Sequence, residues 1–122
     1  MTQRRRTGDW GEDIAAAYLV ERGYRIEARN LRIGRGEIDI VAIGEGILAM
    51  VEVKSGRSRR YGRPEERVTR AKQRQLCRLA RWFLQAQPRL EFDIRFDVLV
   101  VEGTREDHTI RHYRDAFRCW QR

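Results

Sequence analysis

Several things that would place this 122-residue chain outside the cell or in a membrane are scarce or missing. Its two cysteines, Cys77 and Cys119, lack the close spacing of a metal site. They read as free thiols of a reducing interior, with a single Cys77–Cys119 disulfide as the alternative. No apolar run is long enough to cross a bilayer, and Met1-Thr2-Gln3-Arg4-Arg5-Arg6 has no apolar stretch behind it. A secretory leader and a membrane partner are therefore not expected, and the expected location is cytoplasmic. Internal repeats and low-complexity linkers are absent too, which leaves one globular domain large enough to bury a core without staples.

What is abundant is charge. Acidic and basic residues make up 36% of the chain, and 26 Lys+Arg against 18 Asp+Glu leave a net +8. Most of the bases are arginine, which grips phosphates bidentately better than lysine does. A polyanion partner is the expectation, since basic side chains release counterions on meeting phosphates. The bland alternative is a basic protein kept soluble by its charge.

The pattern along the chain is α-β-β-β-α-β with a terminal β-α addition. Residues 1–8 read as a basic flexible arm, and residues 9–122 as a single domain. Asp9 is a candidate helix N-cap and Gly23 a stop, with Trp10, Ile14, Ala17 and Tyr18 forming one stripe. A neighbouring stripe of Ala15, Ala16 and Leu19 carries Glu12 at its edge. Residues 24–30, 37–43 and 47–54 read as strands, the last two joined around Gly44-Glu45-Gly46. A Gly/Ser/Arg loop leads to Pro64, which would open a long helix to about residue 87. The β-branched run Val98-Leu99-Val100-Val101 marks a buried central strand. Residues 109–113 suggest a short edge strand, and Asp115 the cap of a last helical turn through Trp120. The expected class is α/β, a mixed central sheet flanked by helices.

The informative segments are Gly36-Glu37-Ile38-Asp39 and Val51-Glu52-Val53-Lys54. A two-residue turn at Glu45-Gly46 sets Gly44 opposite Ile47, hence Asp39 opposite Glu52 and Glu37 opposite Lys54. Those four side chains then share one face, while Ile38, Ile40, Ala42, Ala49, Val51 and Val53 form the apolar one. Opposed carboxylates repel across a ladder, so something should compensate. A hard divalent cation does so: Mg²⁺, with Mn²⁺ as substitute. Lys54 would orient or help deprotonate an attacking water and stabilise charge on a phosphate. The alternative is a solvated hairpin face with a Lys54–Glu37 ion pair.

At these residues the chain resembles the PD-(D/E)xK nuclease superfamily, with its restriction-endonuclease-like αβββαβ core. More narrowly it resembles the YraN-type family of uncharacterised bacterial proteins, similar to archaeal Holliday junction resolvases. The resemblance spans nearly the whole chain through Gly11-Glu12, Asn30, Gly36-Glu37-Ile38-Asp39, Val51-Glu52-Val53-Lys54, Lys72-Gln73 and Arg95-Phe96-Asp97-Val98. It implies Asp39 and Glu52 as metal-binding acids and Lys54 as the catalytic lysine. It also implies Glu12 as a helix-borne acid near the metal and the Val53 carbonyl as a further ligand. Lys72 and Gln73 would contact the site or the phosphate backbone. Gln73 is followed one turn later by Cys77 rather than by tyrosine, which separates the chain from RecB-type nucleases.

Around this centre, Arg57, Arg59, Arg60, Arg63, Arg70, Lys72, Gln73 and Arg74 form the expected nucleic-acid-binding arm, with a solvated helix face as the alternative. Glu37 and Asp97 are candidate supporting groups, Asp97 more readily as the partner of a neighbouring arginine. His108 and His112 suit plain surface roles. Trp82, Phe83 and Trp120 suit the core or an interface better than base stacking. The function expected is a metal-dependent endonuclease hydrolysing DNA phosphodiesters, selective for branched or junction structures; a homodimer would supply the two sites that junction cutting needs. The rivals are a non-catalytic nucleic-acid-binding module that partners other proteins, and an enzyme of RNA, for which no aromatic RNA-binding signature is visible.

Overall fold

The computed structural model of the chain describes residues 9–56, 68–86 and 93–119. The basic arm at 1–8, Pro64, Trp120 and the loop arginines Arg57, Arg59, Arg60 and Arg63 lie outside these residues. The described elements are α1 (Asp9–Glu21), β1 (Arg25–Ile33), β2 (Gly36–Gly44), β3 (Ile47–Gly56), α2 (Arg70–Gln85), β4 (Asp93–Gly103) and β5 (His108–Phe117). The five strands form one sheet in the order β1-β2-β3-β4-β5. Only the β3–β4 pair is parallel among them. The result is a mixed α/β fold, as the sequence pattern indicates.

Two helices cover opposite faces of the sheet. Under α1 lie Ala15, Ala16 and Leu19 with Ile40, Ala42, Ala49, Val51, Leu99 and Val101. Under α2 lie Leu76, Leu79, Ala80 and Phe83 with Val41, Ile43, Leu48, Met50, Phe96, Val98 and Val100. The central strands are therefore apolar on both faces, which is why β3 and β4 read as continuous hydrophobic runs. Each fully buried Leu, Ile or Val contributes roughly 1.5–3 kcal/mol over leaving it exposed. The expected single apolar face is too simple: Val41, Ile43, Leu48 and Met50 fill the other one, and Ile38 joins them rather than Ile40.

Four further expectations are corrected. The long helix does not run from Pro64: Val68 sits in a bend, and Thr69 is the N-cap of α2, its hydroxyl accepting the Lys72 N–H at 3.1 Å. Such a cap is worth about 1 kcal/mol and fixes where the helix starts. Ala17 is exposed, and the buried stripe of α1 is the one that holds Glu12, itself 6% exposed. The terminal strand is ten residues long, and Asp115 lies within it at φ 56 rather than capping a helix. Finally, Cys77 and Cys119 are joined in a disulfide, with Cα atoms 5.8 Å apart. Forty-two residues separate them in sequence. Only the packing of α2 beside the end of β5 brings them together, so spacing could not reveal the pair. The disulfide removes the cysteine argument for a reducing compartment. Among the described residues, no helix is long and apolar enough to cross a membrane.

Candidate active site at the open end of the β2–β3 hairpin

The site begins with a turn. Glu45 and Gly46 both have positive φ, 52 and 74, the two-residue geometry that matches the twist of a hairpin. The ladder runs from Gly44↔Ile47 to Ile40↔Val51 and stops there. In an unbroken ladder of this register the Val53 N–H would bond the Ile38 carbonyl. Instead it donates to Asp39 Oδ2 at 2.8 Å. A carboxylate thus stands where a backbone oxygen would, and the hairpin opens beyond Val51. Strand β3 continues, held by β4 as far as Gly56↔Glu102. The expected pairing of Asp39 with Glu52 and of Glu37 with Lys54 is not formed: the last rung is Ile40↔Val51, and the two acids flank an opening instead.

Helix α1 delivers a third acid. A Cβ placed on Gly11 would lie 2.3 Å from the Ser55 Cβ, so only glycine lets the start of α1 pack against the end of β3. Glu12 is consequently buried near the opening. Its Oε1 accepts from Arg29 Nε at 3.1 Å and Asn30 Nδ2 at 3.0 Å, and Arg29 also holds Asp13 at 2.7 Å. Asn30 takes a left-handed backbone at φ 53, a conformation asparagine tolerates better than most residues.

These carboxylates interact. Burial, then the neighbouring charge of Glu52, pushes the Asp39 carboxyl up to about 7; Glu12 and Glu37 add to the rise, and the Val53 N–H opposes it. Crowding of like charge in a desolvated place has this effect, and it recurs at sites built to bind or react. Lys54 answers part of the charge: its Nζ lies 3.4 Å from Glu52 Oε2, both side chains pointing the same way from β3. Lys72, at the start of α2, donates from Nζ to the Glu37 carbonyl at 3.3 Å. The chain has only two lysines, Lys54 and Lys72, among its 26 basic residues. Both serve this end of the sheet. In a chain otherwise rich in arginine, that scarcity was a signal available in the sequence.

The other candidates sit elsewhere. Gln73 donates from Nε2 to the Val68 carbonyl at 2.9 Å and braces the start of α2. Arg70 and Arg74 are exposed along α2. Glu37 keeps an arginine, Arg32, at 3.9 Å. Asp97, 1% exposed, belongs to a separate knot under α1. It accepts from Arg95 Nε at 2.9 Å and from the Asp115 N–H at 3.0 Å, and His112 Nε2 lies 2.8 Å from it. His112 is therefore an internal residue rather than a surface one. Sequence reasoning also missed Arg29 as the residue that holds Glu12.

Among the described residues, no group of three or more His, Cys, Asp or Glu side chains converges as a ready metal cluster. At the opening the charge of Glu52 acts on Asp39, whose Oδ2 accepts the Val53 N–H. Hard oxygens of this kind suit Mg²⁺, which needs few protein ligands. The raised Asp39 carboxyl marks a concentration of negative charge that a cation would relieve.

Fold and site together define a single-domain mixed α/β protein with an acid-lined, lysine-edged opening at one end of its sheet. The chain belongs to uncharacterised protein family UPF0102, whose model matches residues 11–101. It is 46% identical over 116 residues to a UPF0102 protein of Syntrophotalea carbinolica, covering 94% of each chain. A UPF0102 protein of Symbiobacterium thermophilum is 52% identical over 98 residues, covering 80% of this chain and 83% of its own. One from Syntrophus aciditrophicus is 44% identical over 117 residues, covering 96% and 92%.

Proposed function

We propose that the protein is a metal-dependent phosphodiesterase of the restriction-endonuclease-like type, cutting DNA and selecting branched or junction structures. One observation carries this reading: at the opened end of the β2–β3 hairpin the charges of Glu52 and Glu12 act on the buried Asp39 carboxyl, with Lys54 beside Glu52. A purely structural hairpin gains nothing from this, because crowding acids destabilises it. The α-β-β-β-α-β order, with the acids on β2 and β3 and a helper on α1, supports the same arrangement.

Asp39, Glu52 and the Val53 carbonyl would hold Mg²⁺ or Mn²⁺, which supplies charge neutralisation for the phosphate when bound. Lys54 stabilises the charge that builds on the non-bridging phosphate oxygens. Glu12, fixed by Arg29 and Asn30, orders water at the opening. In the reaction, a water oxygen bonds to phosphorus and gives up a proton to solvent, the bond to one bridging oxygen breaks, and that oxygen takes a proton from solvent and leaves as a hydroxyl.

The test is a cleavage assay on labelled linear, flap, four-way-junction and single-stranded DNA with Mg²⁺ or Mn²⁺. Cutting that is lost in Lys54→Ala and in Asp39→Asn/Glu52→Gln supports the enzyme. The lack of a ready three-residue metal cluster among the described residues favours a second reading, a non-catalytic nucleic-acid-binding module. Salt-sensitive DNA binding without any cutting would select that reading instead.

A further inference from the structure

The outer side of α2 carries a feature that the acid site does not use. Arg70, Arg74, Arg78 and Arg81 recur at intervals of four, four and three residues, so they share one side of the helix. All four are exposed, and none has an ion-pair partner among the described residues. They span about 16 Å at 1.5 Å per residue. Across from them stands Arg118, oriented by Asp115 through bonds of 3.1 and 2.8 Å. Between these two walls runs a groove of about 480 Å³ lined by the five arginines, Gln73 and Cys77. The Cys77–Cys119 disulfide is what fastens the second wall to the first.

One more residue points to the ligand. Trp82 is 48% exposed, which removes the core alternative that its helical position suggests. It lies one turn beyond Arg78, at the end of the arginine row. An exposed indole beside a line of guanidinium groups is the combination that holds single-stranded nucleic acid: cations track the backbone, and an aromatic face stacks a base without regard to sequence. A generic polyanion would use the arginines and ignore the tryptophan.

We infer that the groove between α2 and the segment after β5 binds single-stranded nucleic acid, with Arg74, Arg78, Arg81 and Arg118 on the phosphates and Trp82 on a base. The inference extends the nucleic-acid reading above to a second contact surface, and it does not require that the acid site cut anything.

The experiment is fluorescence anisotropy with a labelled single-stranded oligonucleotide, using the full oxidised chain with chelator present. Arg74→Ala/Arg78→Ala/Arg81→Ala should lower the log–log salt slope by about two units, at roughly 0.7 per lost single-strand phosphate contact. A triple variant of the same charge change at Arg22, Arg35 and Arg105 should bind nearly as wild type. Trp82→Ala should weaken binding by at least about fivefold. Cys119→Ser should match Arg118→Ala, and the chelator keeps the acid site from cutting, so binding to the groove is read on its own. Equal losses in the two arginine triples would overturn the groove in favour of bulk charge. Wild-type binding by Trp82→Ala, with heparin displacing the oligonucleotide as well as nucleic acid does, would overturn the nucleic-acid assignment. Wild-type binding by Cys119→Ser would overturn the second wall.

Discussion

Asp39 and Asp97 are the same residue type placed inside the same sheet, and their surroundings have opposite signs. Asp97 meets a guanidinium, an imidazole and a backbone N–H. Burial works against its charge, yet His112, Arg95 and the Asp115 N–H together hold its carboxyl below the usual range. A carboxylate accepts only, so His112 Nε2 carries the hydrogen. Nδ1 is left to face the Tyr18 hydroxyl at 3.4 Å. Arg95 in turn donates to the Tyr24 hydroxyl. The knot ties α1, β4 and β5 together with every group answered. Asp39 meets one N–H and three other carboxylates, and its carboxyl rises to about 7. A fold that can satisfy an aspartate so completely at one place leaves another frustrated. The contrast separates a carboxylate whose charge is answered on every side from one whose charge is left opposed.

The comparison can be broken at either end. The largest effect belongs to the acid site: Lys54→Ala should lower DNA cleavage by about 10²–10³-fold with little change in melting temperature, since the lost stabilisation acts on the transition state. Single-turnover rates and thermal melts on the same preparation check both halves. Next is Asp97→Ala, which strands Arg95 and His112 in the interior. It should cost about 3–5 kcal/mol by urea unfolding, as removal of one partner from a buried charged network does.

Asp39→Asn should have the opposite sign. The folded-state carboxyl titrates near 7, above its usual 3.8, so its contribution to stability is full below 3.8 and is lost as pH rises through 7. Urea midpoints of the metal-free protein should therefore fall between pH 5 and pH 8. The asparagine variant should flatten that decline and gain on the order of 1–3 kcal/mol at pH 8. Asp97, with its depressed carboxyl, gives the reverse profile: its stabilisation is present above its unfolded value and fades as pH falls through the folded one. The smallest effect is expected at Gly11→Ala, where the new methyl meets Ser55. A cost of about 1–3 kcal/mol, relieved in part by adding Ser55→Gly, would confirm that the close approach of α1 sets the position of Glu12.

Much of this was readable from local pattern. The Glu45-Gly46 turn fixes the hairpin register as far as Ile40↔Val51. The run Val98–Val101 could only be a central strand. What stayed hidden depends on contacts between distant parts. The opening of the ladder beyond Val51 arises because a side chain outcompetes a carbonyl for one N–H. Cys77 meets Cys119 only through the packing of α2 on β4 and β5. The full length of β5 escaped notice because Asp115 breaks the alternation, its N–H turned to Asp97. Thr69 was overlooked as a cap beside the stronger signal of Pro64, and Trp82 was assigned inward because an indole on an amphipathic helix usually is.

The early end of the β2–β3 ladder bears on the order in which the chain folds. A hairpin closes from its turn, so the rungs from Gly44↔Ile47 to Ile40↔Val51 can zip before the carboxylates draw near one another. The repulsion from Glu52 is met as the last rung closes, but the larger cost, burial of the Asp39 carboxyl, is met only when α1 and β4 dock around the hairpin. Its cost therefore falls after the rate-limiting barrier: neutralising Asp39 should slow unfolding and leave the refolding rate almost untouched.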